Sequence, residues 1–142
     1  YLNTFSLPKG RGNYININNY TIINDAYNAS PASMSLGIKR FSTLISKNKK
    51  ILIIGDMLEL GNQSKIEHIK LGRFINNFKI DMILTFGNEI KETFLNLNDN
   101  YIYKNHFNDI KLLKNKFLKL VKKNDLVYLK GSRSMKLERI YE

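Results

Sequence analysis

The feature that most constrains this chain is a repeated change of period. Short continuous apolar runs alternate with stretches whose apolar residues recur at helical spacing, the signature of βαβ units. Lys50-Ile51-Leu52-Ile53-Ile54 is a β-branched run of the kind buried on both faces of a parallel sheet. Met82–Phe86 and Leu126–Leu129 read the same way, and Asn100-Tyr101-Ile102-Tyr103 reads as a shorter strand. Near the start, Tyr14–Ile17 and Tyr20–Ile23 flank Asn18-Asn19, a two-residue hairpin turn. Between the runs, Met34, Ile38, Phe41 and Ile45 mark a helix that Ser30 caps and Pro31 opens. Ser64-Lys65-Ile66-Glu67 has capping-box spacing and opens a helix carrying Ile66, Ile69, Phe74 and Phe78. Ile110, Leu113, Phe117 and Val121 give a third helix, Glu89–Leu97 a shorter fourth, and a final helix is expected after Met135. The pattern predicts one α/β domain over residues 1–142: a Rossmann-like three-layer fold, its sheet mostly parallel with an antiparallel edge hairpin.

In such sheets ligands bind beyond the carboxyl ends of the parallel strands, which selects three loops. The first, Asn24-Asp25-Ala26-Tyr27-Asn28-Ala29-Ser30-Pro31, sets a carboxylate, a phenol and a carboxamide before a helix start. Asp25 suits a ribose diol, while Asp25 and Asn28 serve equally as turn caps. The second, Gly55-Asp56-Met57-Leu58-Glu59-Leu60-Gly61, holds two acids between glycines. Paired acids do acid–base work or hold magnesium; alternatively Leu58 and Leu60 fold the loop onto the core and leave the acids in water. The third, Lys130-Gly131-Ser132-Arg133-Ser134-Met135, combines hydroxyls with cations that suit a carboxylate or phosphate, or simply a solvated basic loop. A phosphate-cradling Gly-x-x-x-x-Gly-Lys-Ser/Thr segment occurs nowhere in the chain, so it cannot hold a nucleoside triphosphate in that manner.

The order and context of these segments resemble the C-terminal domain of the Mur ligases, and within them the UDP-N-acetylmuramoyl-tripeptide–D-alanyl-D-alanine ligase family. The resemblance runs from about Phe5 to the end. It rests on Gly10-Arg11, the Asp25–Pro31 segment, Gly-Asp-Met-Leu-Glu-Leu-Gly from Gly55, and Lys-Gly-Ser-Arg-Ser-Met from Lys130, with His68 and Gly72 after the acidic loop. The Tyr-Ala-His and Gly-Lys-Gly-His-Glu segments of the neighbouring diamino-acid-adding ligases are absent. Asn24 and Ala26 stand where the family has an aspartate and a serine, and Ser30 where an asparagine is common.

The resemblance implies ATP-dependent amide formation between UDP-N-acetylmuramoyl-tripeptide and D-alanyl-D-alanine, in a cytoplasmic monomer. ATP and Mg2+ are then held mainly by a central domain outside this chain, residues 1–12 form an interdomain junction, and the domain is inactive alone. By the same resemblance Arg11, Asp25 and Asn28 contact ATP. Tyr27, Lys130, Ser132 and Arg133 bind substrate, Asp56, Glu59 and His68 shape the pocket, and no residue of this chain is a catalytic nucleophile, general base or metal ligand.

Composition narrows the alternatives. There is no cysteine, which removes disulfides and thiolate metal sites, and no apolar run long enough to span a bilayer. The net charge of +11 admits a basic Rossmann-like nucleic-acid-binding module as the second reading. Because the lysines are scattered, with clusters only at Lys47–Lys50 and Lys122–Lys123, no nucleic-acid partner is expected. A receiver-like sensor needs an acidic cluster at the end of the first strand, which the chain lacks.

Overall fold

The computed structural model describes residues 9–142; Phe5 and most of the expected junction segment lie outside the described residues. Strands β1 (Asn13–Ile17) and β2 (Tyr20–Asn24) form the predicted antiparallel hairpin. Asn18 takes the left-handed conformation at its turn, φ 55°, which asparagine tolerates. Helix α1 (Pro31–Thr43) leads to β3 (Lys50–Gly55), and α2 (Ser64–Ile75) leads to β4 (Met82–Phe86). The short α3 (Lys91–Leu95) precedes β5 (Tyr103–Phe107), and α4 (Ile110–Leu120) precedes β6 (Leu126–Lys130). The sheet order is β1-β2-β6-β3-β4-β5, parallel except for the β1–β2 edge.

Alternation along the strands makes two cores. Leu52, Ile54, Ile83 and Tyr128 pack under α1, α2 and α3. Ile51, Ile53, Leu84, Val127 and Leu129 pack under α4 and the C-terminal Leu137 and Ile140. With both faces covered, β3, β4 and β6 are buried almost throughout, which is why they read as unbroken apolar runs. The last strand in sequence, β6, inserts between β2 and β3, so three loops that are far apart in sequence leave neighbouring strand ends.

Five expectations are corrected. The fifth strand is Tyr103–Phe107 rather than Asn100–Tyr103. It is an edge strand held by backbone pairing to β4, and only Phe107 in it is buried, so no apolar run marks it. Ser64 does not cap α2: a 3-10 turn over Gly61–Gln63 precedes it, and its hydroxyl donates instead to Glu89 Oε1 at 2.7 Å. The buried stripe of α2 is Ser64, His68, Leu71, Gly72 and Ile75, leaving Ile66 half exposed, while Ile45 lies beyond the end of α1 in solvent. In place of a final helix there are two 3-10 turns, Arg133–Met135 and Leu137–Ile140, because Lys136 between them is left-handed (φ 48°).

Candidate functional site

The first and third loops are joined by an ion pair between the partly exposed Asp25 and the buried Lys130. Asp25 N donates to Leu129 O at 2.8 Å, extending the β2–β6 ladder by one rung. The Asp25 carboxylate then accepts through one oxygen, Oδ2, from Tyr128 Oη at 2.5 Å and from Lys130 Nζ at 3.0 Å. Lys130 is 4% exposed and also donates to Asn28 O, so it braces the first loop from behind. Burial and the hydrogen bond to Asp25 both raise the Tyr128 phenol's pKa far above its ordinary value. Asn24, in place of an acid, is consumed structurally. Its Oδ1 accepts from Ala26 N and its Nδ2 donates to Tyr141 Oη. Ser30 and Ser33 form a reciprocal capping box that starts α1 at the loop's end.

The acidic loop is braced from two sides. His68, fully buried on α2, accepts from Met57 N through Nε2 at 3.1 Å. A backbone N–H can only donate, so the ring proton sits on Nδ1, which donates to Ser64 O at 2.8 Å. Asp56 turns inward, accepting from Ile90 N through Oδ1 at 2.8 Å, and burial raises its carboxyl pKa against the lowering effect of that bond. Asp56 O accepts from Ser132 N, and Ser132 Oγ accepts from Leu58 N at 2.8 Å, which fastens the acidic loop to the third loop. The residue that enters the core is Met57. Leu58 and Leu60 stay half-buried along a cleft wall, so the loop does not fold inward on its leucines with both acids in water.

The three loops enclose an open cleft of about 630 Å³. Asn28, Ala29 and Ser30 come from the first loop, Leu58, Glu59 and Leu60 from the second, and Ser132, Arg133, Ser134 and Lys136 from the third. One wall is apolar, and the ionic groups are two cations and the single carboxylate of Glu59, which projects from a left-handed backbone (φ 65°). Beside it stands an aromatic–cation cluster. The Arg11 guanidinium lies 4.0 Å from the Tyr27 ring centre and that of Arg133 lies 4.9 Å from it. Tyr27 N donates to Gly10 O at 2.8 Å, which brings Arg11 to the first loop. A hydrogen bond from Arg11, followed by the charges of Arg11 and Arg133, lowers the Tyr27 phenol's pKa. Cation–ring contacts at exposed sites are worth about 0.5–1 kcal/mol each. They orient the two guanidiniums, each of which keeps N–H groups beyond the hydrogen bond it gives the Tyr27 phenol. Two oriented forks beside an apolar wall can take a phosphate or carboxylate together with a short alkyl group.

Of the residues singled out in the sequence, Asn28, Glu59, Ser132 and Arg133 line the cleft, with Arg11 and Tyr27 joined to it through Arg133. Asp25 and Lys130 stand behind them, bonded to each other; Asp56 and His68 are buried supports. Tyr128 was missed. Its signal is a phenol in an otherwise aliphatic strand, two residues before the lysine it shares Asp25 with. Among the described residues no group of three or more acids, histidines or cysteines is placed to hold a metal ion, and no helix is long and apolar enough to cross a membrane.

Comparison with known proteins bears directly on this arrangement. Residues 10–133 match the glutamate ligase domain of the Mur ligases. The UDP-N-acetylmuramoyl-tripeptide–D-alanyl-D-alanine ligase of Bacillus subtilis (strain 168) is 40% identical over 126 residues, covering 84% of this chain and 27% of that protein. The protein of the same name from Rickettsia prowazekii (strain Madrid E) is 36% identical over 142 residues, covering 100% of this chain and 31% of its own length. Among solved structures, the MurF ligase of Thermotoga maritima in complex with ADP superposes with a TM-score of 0.78 at 29% identity, covering 97% of this chain and 31% of that one. The chain therefore spans about a third of the length of the relatives it matches.

Proposed function

The chain belongs to the Mur ligase family through its glutamate ligase domain, and from that membership we propose that it is the C-terminal domain of an ATP-dependent ligase. That ligase joins D-alanyl-D-alanine to UDP-N-acetylmuramoyl-tripeptide in peptidoglycan precursor synthesis, as the names of its relatives state of them. The observation that carries the reading is the convergence of three sequence-distant loops on one cleft, apolar on one wall and cationic on the other. D-alanyl-D-alanine has short methyl side chains, a carboxylate and an amine. Leu58 and Leu60 suit the methyls, Arg133 with Ser132 suits the carboxylate, and Glu59 is the cleft's acidic partner for the amine.

ATP supplies the phosphoryl group that activates a carboxylate for attack by the dipeptide's amine. ATP and Mg2+ are held mainly outside this domain, consistent with the lack of a P-loop in the sequence and of a metal cluster among the described residues. Arg11 offers a fixed cation toward phosphoryl charge. Asp25 retains Oδ1, which takes no bond among the described residues, for a ribose hydroxyl, and Asn28 lies beside it. Tyr27 orients Arg11 and Arg133, and Lys130 holds Asp25. Closure of the domain over the nucleotide excludes water that would otherwise consume the activated carboxylate. The domain acts in the cytoplasm as part of a monomer and is inactive alone.

The test uses a chain of the relatives' full length. Arg11→Ala lowers kcat for phosphate release by about a hundredfold, the scale of removing a fixed charge stabiliser, and Arg133→Ala raises KM for the dipeptide. Unchanged turnover and KM in both variants would refute the assignment. Asp25 is tested as Asp25→Asn, because Asp25→Ala would strand the buried Lys130 ammonium and confound function with folding.

A further inference from the structure

We propose that the rim of the sheet opposite the cleft is a docking surface for an anionic bilayer, engaged by lysines of two loops around Ile45. The chain's two lysine clusters, at Lys47–Lys50 and Lys122–Lys123, are separated by some 75 residues, yet the fold fuses them. Both lie where strands begin: one loop enters β3, the other enters β6, and those strands are neighbours. Asp125, 2% exposed, locks the loops together. Its Oδ1 accepts from Lys49 N at 3.0 Å and its Oδ2 from Lys122 N at 2.7 Å. Asn48 Nδ2 donates across to Lys123 O at 3.1 Å. The carboxylate is thus spent on backbone; Lys50 turns inward, its Nζ donating to Ser42 O and Leu44 O, and the side chains of Lys47, Lys49, Lys122 and Lys123 are left over.

Those side chains are without acidic partners. The four ion pairs among the described residues lie elsewhere, and none includes Lys47, Lys49, Lys122 or Lys123. Lys47, Lys122 and Lys123 are exposed, and Lys122 Nζ reaches only Lys119 O, at 3.4 Å. Among them stands Ile45, 96% exposed, on a fixed loop where it lines a shallow groove with Lys47 and Asn124. Ile102, 62% exposed, sits on the same rim at the entry to β5.

Charge and apolarity together select the partner. Ammonium groups act as hydrated point charges and suit a diffuse anionic surface, whereas planar bidentate recognition of phosphates calls for arginine, which neither loop contains. A strand of nucleic acid would need aromatic platforms, and the two loops have none. An aliphatic side chain ringed by lysines gains by entering the headgroup boundary of a bilayer. A five-residue strand separates this rim from the cleft, about 17 Å at strand rise. That exceeds the screening length of roughly 8 Å at physiological salt, so the cleft's anions do not feel the membrane. The proposal is independent of the ligase reading.

Vesicle sedimentation with the 142-residue chain tests it, using equal parts phosphatidylglycerol and phosphatidylcholine against phosphatidylcholine alone. Binding is expected to the anionic vesicles only, weakening with salt. Lys122→Glu with Lys123→Glu lowers the partition coefficient at least about tenfold, as loss of two surface-near cations requires. Ile45→Ser lowers it severalfold without changing charge. Lys65→Glu with Lys111→Glu, the same net charge placed in the first turns of α2 and α4, leaves it near the parent value. Absent binding, an equal loss in the charge-matched control, or tighter binding of single-stranded RNA with the same lysine dependence would each overturn the proposal. None of these side chains is buried, and unchanged circular dichroism verifies that every variant is folded.

Discussion

Asp56 carries its carboxylate almost wholly out of water to hold backbone N–H groups at Ile90 and Glu89, which ties the acidic loop to the segment after β4. Burial raises its pKa, so the folded state binds a proton more readily than the unfolded chain. The stability linked to that proton is complete below the unfolded carboxylate's pKa and is lost as pH rises through the folded one. Asp56→Asn keeps an acceptor for Ile90 N and has no proton to lose. The stability of the variant minus that of the parent therefore increases as pH rises from the ordinary carboxylate range toward neutrality. Urea unfolding at a series of pH values measures this difference, and a flat or falling one contradicts the burial argument. His68 performs the companion task from α2 with a tautomer fixed by Met57 N. Neither role is visible in sequence: Gly-Asp-Met-Leu-Glu-Leu-Gly shows two acids at short spacing, and only packing separates the inward Asp56 from Glu59 on the cleft.

Helix α1 meets the sheet through a pair that couples stability to the site. Tyr128 stacks on Phe41, with ring centres 5.3 Å apart, and reaches Asp25 by passing under Gly37, where a Cβ would collide with its Oη. Gly37 has an ordinary helical backbone, so its reason to be glycine is this contact, not conformation. Gly37→Ala on its own destabilises despite the roughly 1 kcal/mol that alanine gains in a helix interior. Tyr128→Phe costs about 1.5–3 kcal/mol for a lost hydrogen bond to a charged group. Combined, the two changes cost less than their sum, because removal of the hydroxyl frees the space that the new methyl needs. Chemical denaturation of the four proteins gives the coupling energy, and strict additivity would show that Oη does not set the glycine. At this scale the sequence is legible where local chemistry acts alone. Ser30-Pro31 starts α1 as the residue types dictate. It is illegible where a tertiary partner competes, as when Glu89 takes the hydroxyl of Ser64, or where pairing to β4 alone defines the edge strand β5.

For the molecule as a whole, the alternation of periods determines layers and parallelism because both faces of β3, β4 and β6 are covered, while the insertion of β6 between β2 and β3 is a long-range choice with no local mark. That insertion makes three weak loop signals into one cleft, and makes two lysine clusters into one rim. The same economy explains the charge. Twenty-three cations face twelve acids, and several of those acids are spent on backbone N–H groups: Asp56, Asp81, Asp109 and Asp125 each accept from at least one. Carboxylates so used organise loops but lie far from most lysine ammoniums, and the fold retains a net self-repulsion that compactness worsens. Monovalent salt should therefore stabilise it. Between roughly 0.01 and 0.15 M the screening length falls from about 30 to about 8 Å, and relief of about 1 kcal/mol corresponds to a rise of about 3 °C in Tm for a domain of this size. Calorimetry in chloride at fixed pH reads this directly. Lys65→Glu with Lys111→Glu, which lowers the net charge by four at exposed sites, should raise Tm at low salt and flatten the salt dependence. A Tm that falls with salt, or a dependence unmoved by those substitutions, would mean that the dispersed cations are already neutralised within the fold and that the excess charge carries no energetic cost.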